Sequence, residues 1–178
     1  MEDQSASDAP PRFGLSRASD TDAIGQQGEL IVRRTLLGWQ DRPLQTFQVS
    51  PLGDKFPLFD LLIRIGPDEP DAPVARYCFA QVKSTRQAPG RESIAFSGMS
   101  RDEVRSAAAA GFPAYLFAVD VGSDRIFVRA VNEANAISGI HSIRLANELK
   151  PTSLRTLYDE IAEYWHSAPD RPHRSEFL

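Results

Sequence analysis

Residues 74–84 read VARYCFAQVKS. In an extended chain, Tyr77, Phe79, Gln81 and Lys83 fall on one face and Cys78, Ala80, Val82 and Ser84 on the other. Both faces are apolar over most of the run. Such a strand is expected in the middle of a sheet, with helices over both sides. Gln81 and Lys83 break the pattern. An amide and an ammonium on a covered face cost free energy unless something pairs with them. Chemistry is therefore expected around Gln81-Val82-Lys83-Ser84.

Toward the N-terminus, Phe59 to Ile65 reads as a strand ended by Gly66 and Pro67, and Leu44 to Ser50 as another, ended by Pro51 and Gly53. The turn-rich string GPDEPDAP leads into the 74–84 strand. Short links between the three strands predict an antiparallel meander. Ahead of them, Ser19 with Asp22 fits a helix-capping signature. That helix is expected to run to about Leu37, with Ile24, Gly28, Ile31 and Thr35 on one stripe broadened by Val32 and Leu36. Glu29 borders the apolar arc. Gly25, one turn earlier on the same side, costs about 1 kcal/mol relative to Ala and leaves room for an approach to the backbone beside Glu29.

Toward the C-terminus, Thr85 to Ser97 is a polar, arginine-bearing loop with a short strand at Ile94 to Phe96. Ser100 with Glu103 forms a capping box opening a helix through Ala110, which Gly111 and Pro113 stop. Ala114 to Val121 and Arg125 to Val131 read as strands joined by Gly122-Ser123-Asp124. Asn132 to Lys150 shows no decisive period. Pro151-Thr152-Ser153 starts a last helix with Leu154, Leu157, Ile161 and Trp165 on one face. The order is helix, three strands, helix, strand, strand, helix. It gives an α/β fold in which a mixed sheet has helices on both faces. One ordered domain spans 20–166. Residues 1–19 are expected as a disordered lead and 167–178 as a flexible tail.

The chain has 178 residues, 42% of them hydrophobic, which suits a single domain. A net charge of −4 and a pI near 5.4 argue against coating nucleic acid by bulk electrostatics. Positive charge is local: Arg76, Lys83, Arg86, Arg91, Arg101 and Arg105 stand against Glu92, Asp102 and Glu103. The one cysteine, Cys78, cannot form an internal disulfide and suits a reducing compartment. The start MEDQSASDAPP has neither the basic opening nor the apolar core of a secretory signal, and no run reaches membrane-span length. A cytoplasmic protein with no membrane partner is expected. His141, His166 and His173 show no metal-ligand spacing. Trp39 and Trp165 are expected at core edges, and Asp120 in a turn.

Glu29, Asp60, Gln81 and Lys83 form the candidate site. Adjacent antiparallel strands can bring Asp60 beside the Gln81 and Lys83 pair, and a helix over that face can lower Glu29 toward them. Asp60 would offer the hard anionic oxygen that Mg²⁺ prefers, Gln81 an amide oxygen, Val82 its carbonyl, and Glu29 a direct or water-mediated contact. Lys83 would neutralise a phosphate and orient, or help deprotonate, the attacking water. Ser84, Thr85, Arg86 and Arg91 are candidate contacts to a phosphate backbone.

This order of elements, with Phe59-Asp60 and Gln81-Val82-Lys83, resembles the PD-(D/E)XK nuclease superfamily. It resembles most the branches in which glutamine replaces the acid of the E-x-K pair, as in Mrr-like restriction nucleases. The strings IGQQGELIVRRTLLG (24–38) and QVKS also resemble a bacterial domain family of that superfamily, largely without assigned function and often linked to mobile-element or phage-defence settings. The resemblance covers about Thr21 to Val121. It implies a restriction-endonuclease-like αβββαβ core and a metal-dependent phosphodiester hydrolase. The activity it implies is an endodeoxyribonuclease in defence, restriction or repair that uses Mg²⁺ or Mn²⁺. Asp60, Gln81 and Lys83 would be catalytic, Glu29 an accessory acid, and nucleic acid the partner. A homodimer or a neighbour-encoded protein is a further expected partner. Phe59 stands where a proline would precede the aspartate, and Gln81 removes one negative charge from the metal site. A second reading is therefore a catalytically degenerate module of the same fold that binds DNA or a protein, and a third is an RNA-cutting toxin.

Overall fold

The computed structural model describes residues 17–41, 46–53, 56–66, 75–167 and 175–178. In it the run around Gln81 forms strand β3 (Arg76–Thr85), central in a five-stranded sheet. Its neighbours are β2 (Leu61–Ile65) on one side and β5 (Ala114–Asp120) on the other, with β1 (Phe47–Pro51) and β6 (Arg125–Ala130) at the edges. β1, β2 and β3 run antiparallel in sequence, as the short links predict. β5 joins β3 in parallel, Gln81 opposite Leu116, and β6 returns antiparallel to β5. A parallel join needs a crossover of a dozen or more residues, and the chain between β3 and β5 supplies it.

Both sheet faces are covered, as the apolar alternation of β3 requires. On one side lie α1 (Arg17–Leu37) and α3 (Pro151–His166), enclosing a core of Val32, Leu36, Ala80, Val82, Phe117, Leu157 and Tyr158. On the other side a short helix, α2 (Arg101–Ala108), shares the cover with a two-stranded ribbon. The ribbon pairs β4 (Ser93–Met99) with β7 (Ile140–Arg144), and Ile94, Met99, Leu116, Phe127, Ile140 and Ile143 pack beneath it. The short strand expected at Ile94 to Phe96 is thus longer, and its partner lies in the segment whose local pattern is undecided. Ile94 pairs with Ile143, far along the chain, and both are buried.

Several boundaries differ from expectation. α1 starts at Arg17, so Ser19 lies inside the helix instead of capping it. Asp60 precedes β2 instead of opening it. Most of the lead, the turn-rich stretch and residues 168–174 lie outside the described residues. Residues 175–178, expected in the flexible tail, pack against the body: Phe177 is buried, and its carbonyl accepts from the Ala130 N–H at 2.9 Å. Burial of one aromatic ring and pairing to the sheet edge outweigh the polar composition around it. The Ser100–Glu103 capping box is present in both directions. No helix among the described residues is long and apolar enough to cross a membrane.

Candidate functional site

Asp60 is fixed by main-chain bonds on two sides. Its N–H donates to the Ala80 carbonyl at 2.9 Å, and its own carbonyl accepts from the Leu52 N–H at 2.8 Å. Antiparallel pairing of Leu61 with Ala80 then sets Asp60 beside Gln81. Its carboxylate turns toward β3. Oδ2 accepts from the Val82 N–H at 2.6 Å and from Gln81 Nε2 at 2.6 Å. Gln81 is only 7% exposed, and its Nε2 also lies 3.4 Å from the Val82 carbonyl. A carboxylate only accepts, so the NH₂ end of the amide must be the end that faces it.

α1 presses on β3 at Gly28. A Cβ built there would come within 1.8 Å of Ser84 Oγ, so only glycine permits this approach. α1 therefore lies over the Ala80, Val82 and Ser84 face and, contrary to expectation, not over the face of Gln81 and Lys83; the next residue, Glu29, is near enough to Asp60 to feel its charge. Burial, and then the negative charge of Asp60, push the Glu29 carboxyl above its ordinary range, while Arg33 pulls it back. Burial also raises the Asp60 carboxyl, opposed by the Val82 N–H and by Lys83. Both carboxyls are raised chiefly by burial, and Glu29 also by the charge of Asp60, so a cation between them would relieve the negative charge. At Gly25 a Cβ would meet nothing within 4 Å, so this side of the helix is as open as the sequence implies.

Lys83 is half-buried, and among the described residues no carboxylate lies within ion-pair distance of it. Its charge acts on Asp60 and on Glu103 at the start of α2. Ser100 holds the Glu103 carboxyl low, and Lys83 adds to that. Glu103 was visible in the sequence only as a capping residue. Its approach to Lys83 follows from packing and has no local signal.

The other candidates separate. Ser84 stands apart from the other candidate backbone contacts. Alternation places it opposite Lys83, under α1, where its Oγ is buried without a hydrogen-bond partner. Thr85 Oγ1 accepts from the Gln87 N–H at 3.0 Å and shapes the loop start. Arg86 and Arg91 are exposed. Asp120 takes the turn role, accepting from Gly122 N–H at 3.0 Å and from the Ser123 hydroxyl. His141 and His166 are exposed, and His173 lies outside the described residues. Trp39 packs on Phe47 and Tyr158, and Trp165 donates to the Tyr77 carbonyl at 2.7 Å. Burial drives the Cys78 thiol far above its ordinary range, leaving it inert.

Among the described residues, no three His, Cys, Asp or Glu side chains gather as a metal-holding group. The site brings together fewer acids: Glu29, Asp60, the Gln81 amide and the Val82 carbonyl, with Lys83 alongside. Among the described residues no donor reaches Asp60 Oδ1. This set suits a hard cation with several waters of its own, because Mg²⁺ is commonly held by one or two carboxylates plus substrate phosphate. No family model matches the chain, and no curated protein or solved structure is significantly similar to it.

Proposed function

We propose that this chain is a metal-dependent phosphodiester hydrolase, an endodeoxyribonuclease of the PD-(D/E)XK type with a restriction-endonuclease-like αβββαβ core. The observation that supports it most is the placing of Asp60, its Oδ2 held by the Val82 N–H at 2.6 Å, beside Gln81 on the neighbouring strand. Beside them stands a half-buried lysine without an ion pair among the described residues. The antiparallel β1-β2-β3 meander and the parallel β3–β5 pair agree with that core.

Asp60, Glu29, Gln81 and the Val82 carbonyl would hold Mg²⁺ or Mn²⁺. That ion supplies Lewis acidity and lowers the pKa of a bound water. The Val82 N–H fixes the Asp60 carboxylate in one orientation, so no reorganisation is needed as charge develops. Lys83 would face the phosphate and offset its charge. Glu29, with its carboxyl raised by burial and by Asp60, would serve as a proton acceptor. The exposed Arg86 and Arg91 would steady the flanking backbone.

A second reading, a non-catalytic module of the same fold that binds DNA or a protein, is favoured by one specific observation: it is the nitrogen of the Gln81 amide that faces Asp60. Incubating the protein with plasmid and Mg²⁺, beside Asp60→Ala and Lys83→Ala, separates the readings. Cleavage by the unaltered protein that both variants lose is the expected result. Equal cutting by all three proteins rules out the hydrolase. A tight metal-independent complex without cleavage would establish the second reading. Matched DNA and RNA oligonucleotides decide the sugar. Defence, restriction and DNA repair are the settings this activity would serve.

A further inference from the structure

We infer that the Gln81 side chain is a two-position switch: in one position its amide nitrogen is bound by Asp60, and in the other its amide oxygen faces a divalent cation. The inference rests on the cation reading above and concerns how the same site takes up its ion.

The geometry of four atoms leads to it. Gln81 Nε2 lies 2.6 Å from Asp60 Oδ2 and 3.4 Å from the Val82 carbonyl oxygen. The NH₂ group therefore bridges a carboxylate oxygen and a backbone carbonyl oxygen, the two protein oxygens that a hard cation would share here. An NH₂ group is the positive end of the amide dipole. It holds those oxygens by the same electrostatics that a cation would use, so the two arrangements exclude each other. A cation bound by Asp60 and Val82 must turn the amide so that oxygen replaces nitrogen.

The surroundings leave only that motion. Gln81 is 7% exposed and sits between Asp60 and the fully buried Leu116 on the neighbouring strand. Swinging the side chain out would break the packing of a covered sheet face. The terminal torsion of glutamine is broad and roughly two-fold, so the amide can turn in place while keeping its shape. Asp60 does not follow, because the Val82 N–H holds the same Oδ2 at 2.6 Å. The amide must give up a charge-assisted hydrogen bond to turn, so the switch lowers cation affinity below what the oxygens alone would give. A carboxylate at this position has no nitrogen to withdraw.

Two measurements on the whole chain test the switch: Mg²⁺ titration by calorimetry, and ¹⁵N NMR of the Gln81 NH₂ pair, assigned by its absence in Gln81→Glu. The expected result is a saturable shift of that pair with the calorimetric midpoint, as the NH₂ group leaves Asp60 Oδ2 and the Val82 carbonyl. Gln81→Glu should bind Mg²⁺ at least about tenfold more tightly, since affinity follows ligand charge. Suppose instead that Mg²⁺ binds and Asp60→Asn abolishes the binding, but the Gln81 pair does not move. The switch is then wrong and the cation reading stands. Unimproved affinity in Gln81→Glu overturns the switch in the same way. No Asp60-dependent heat up to millimolar Mg²⁺ overturns both.

Discussion

Asp60 and Glu29 are carboxyls kept partly out of water, and their protonation is linked to folding. Their ordinary values are 3.8 and 4.5, and in the folded chain both are raised, chiefly by burial. The unfolded chain therefore releases these protons first. Stability from these groups is complete below the ordinary values and is lost as pH rises through the raised ones. Asp60→Asn keeps an oxygen for the Val82 N–H and removes the charge. It is expected to be more stable than the unaltered protein at neutral pH, with the gap closing as pH falls below the ordinary carboxyl range. Urea unfolding of both proteins across that range checks it, and a gap that widens in acid would contradict the burial argument. For chemistry, Asp60→Ala and Lys83→Ala are each expected to slow cleavage by roughly 10²-fold or more, as removal of a positioned charge usually does. Lys83→Arg is expected to recover little, because a planar guanidinium does not replace a point charge on a half-buried strand. Gln81 and Lys83 stand out in the sequence, since polar residues on an apolar strand face are conspicuous. The fate of Ser84 could not be read there, because alternation gives the face but not the closeness of what covers it.

At the scale of elements, two glycines of α1 behave oppositely. Gly28→Ala drives a methyl group into Ser84, with a Cβ placed 1.8 Å from Oγ and 2.9 Å from the Ser84 Cβ. It is expected to cost roughly 1–3 kcal/mol as overpacking. Adding Ser84→Gly should recover much of that loss. Gly25→Ala meets nothing within 4 Å and is expected to stabilise by about 0.5–1 kcal/mol, since glycine inside a helix is costly. Chemical denaturation of the two single variants and the double variant measures all three. Equal effects of the two alanines would show that α1 does not rest on β3 as described. Ser100→Ala removes one half of the α2 capping box and should cost about 1 kcal/mol by the same measurement. That box could be read in the sequence because its partners lie three residues apart. The β4–β7 ribbon could not, because each strand is short and its partner is distant.

Over the whole molecule, the C-terminal segment ties three elements together. Phe177 is 5% exposed within the core beneath α3, and its carbonyl pairs with β6 at the sheet edge. Glu160 of α3 accepts from the Ser175 hydroxyl at 2.8 Å, the Glu176 N–H at 2.6 Å and the Tyr115 hydroxyl at 2.8 Å. Phe177→Ala is expected to destabilise the protein by roughly 3 kcal/mol. A loss below about 0.5 kcal/mol, the size of an ordinary surface change, would show that this segment is no part of the folded body. The sequence by itself determined what depends on neighbours a few residues apart: the alternation of β3, the capping box, the meander links, and which side chains are too polar for their strand face. Only the tertiary structure decided that Ser84 lies under a helix, that Phe177 belongs to the core, that β4 meets β7, and which end of the Gln81 amide meets Asp60. The reason is the same in each case: the free energy of a buried group is set by the atoms that folding brings against it, and those atoms are remote along the chain.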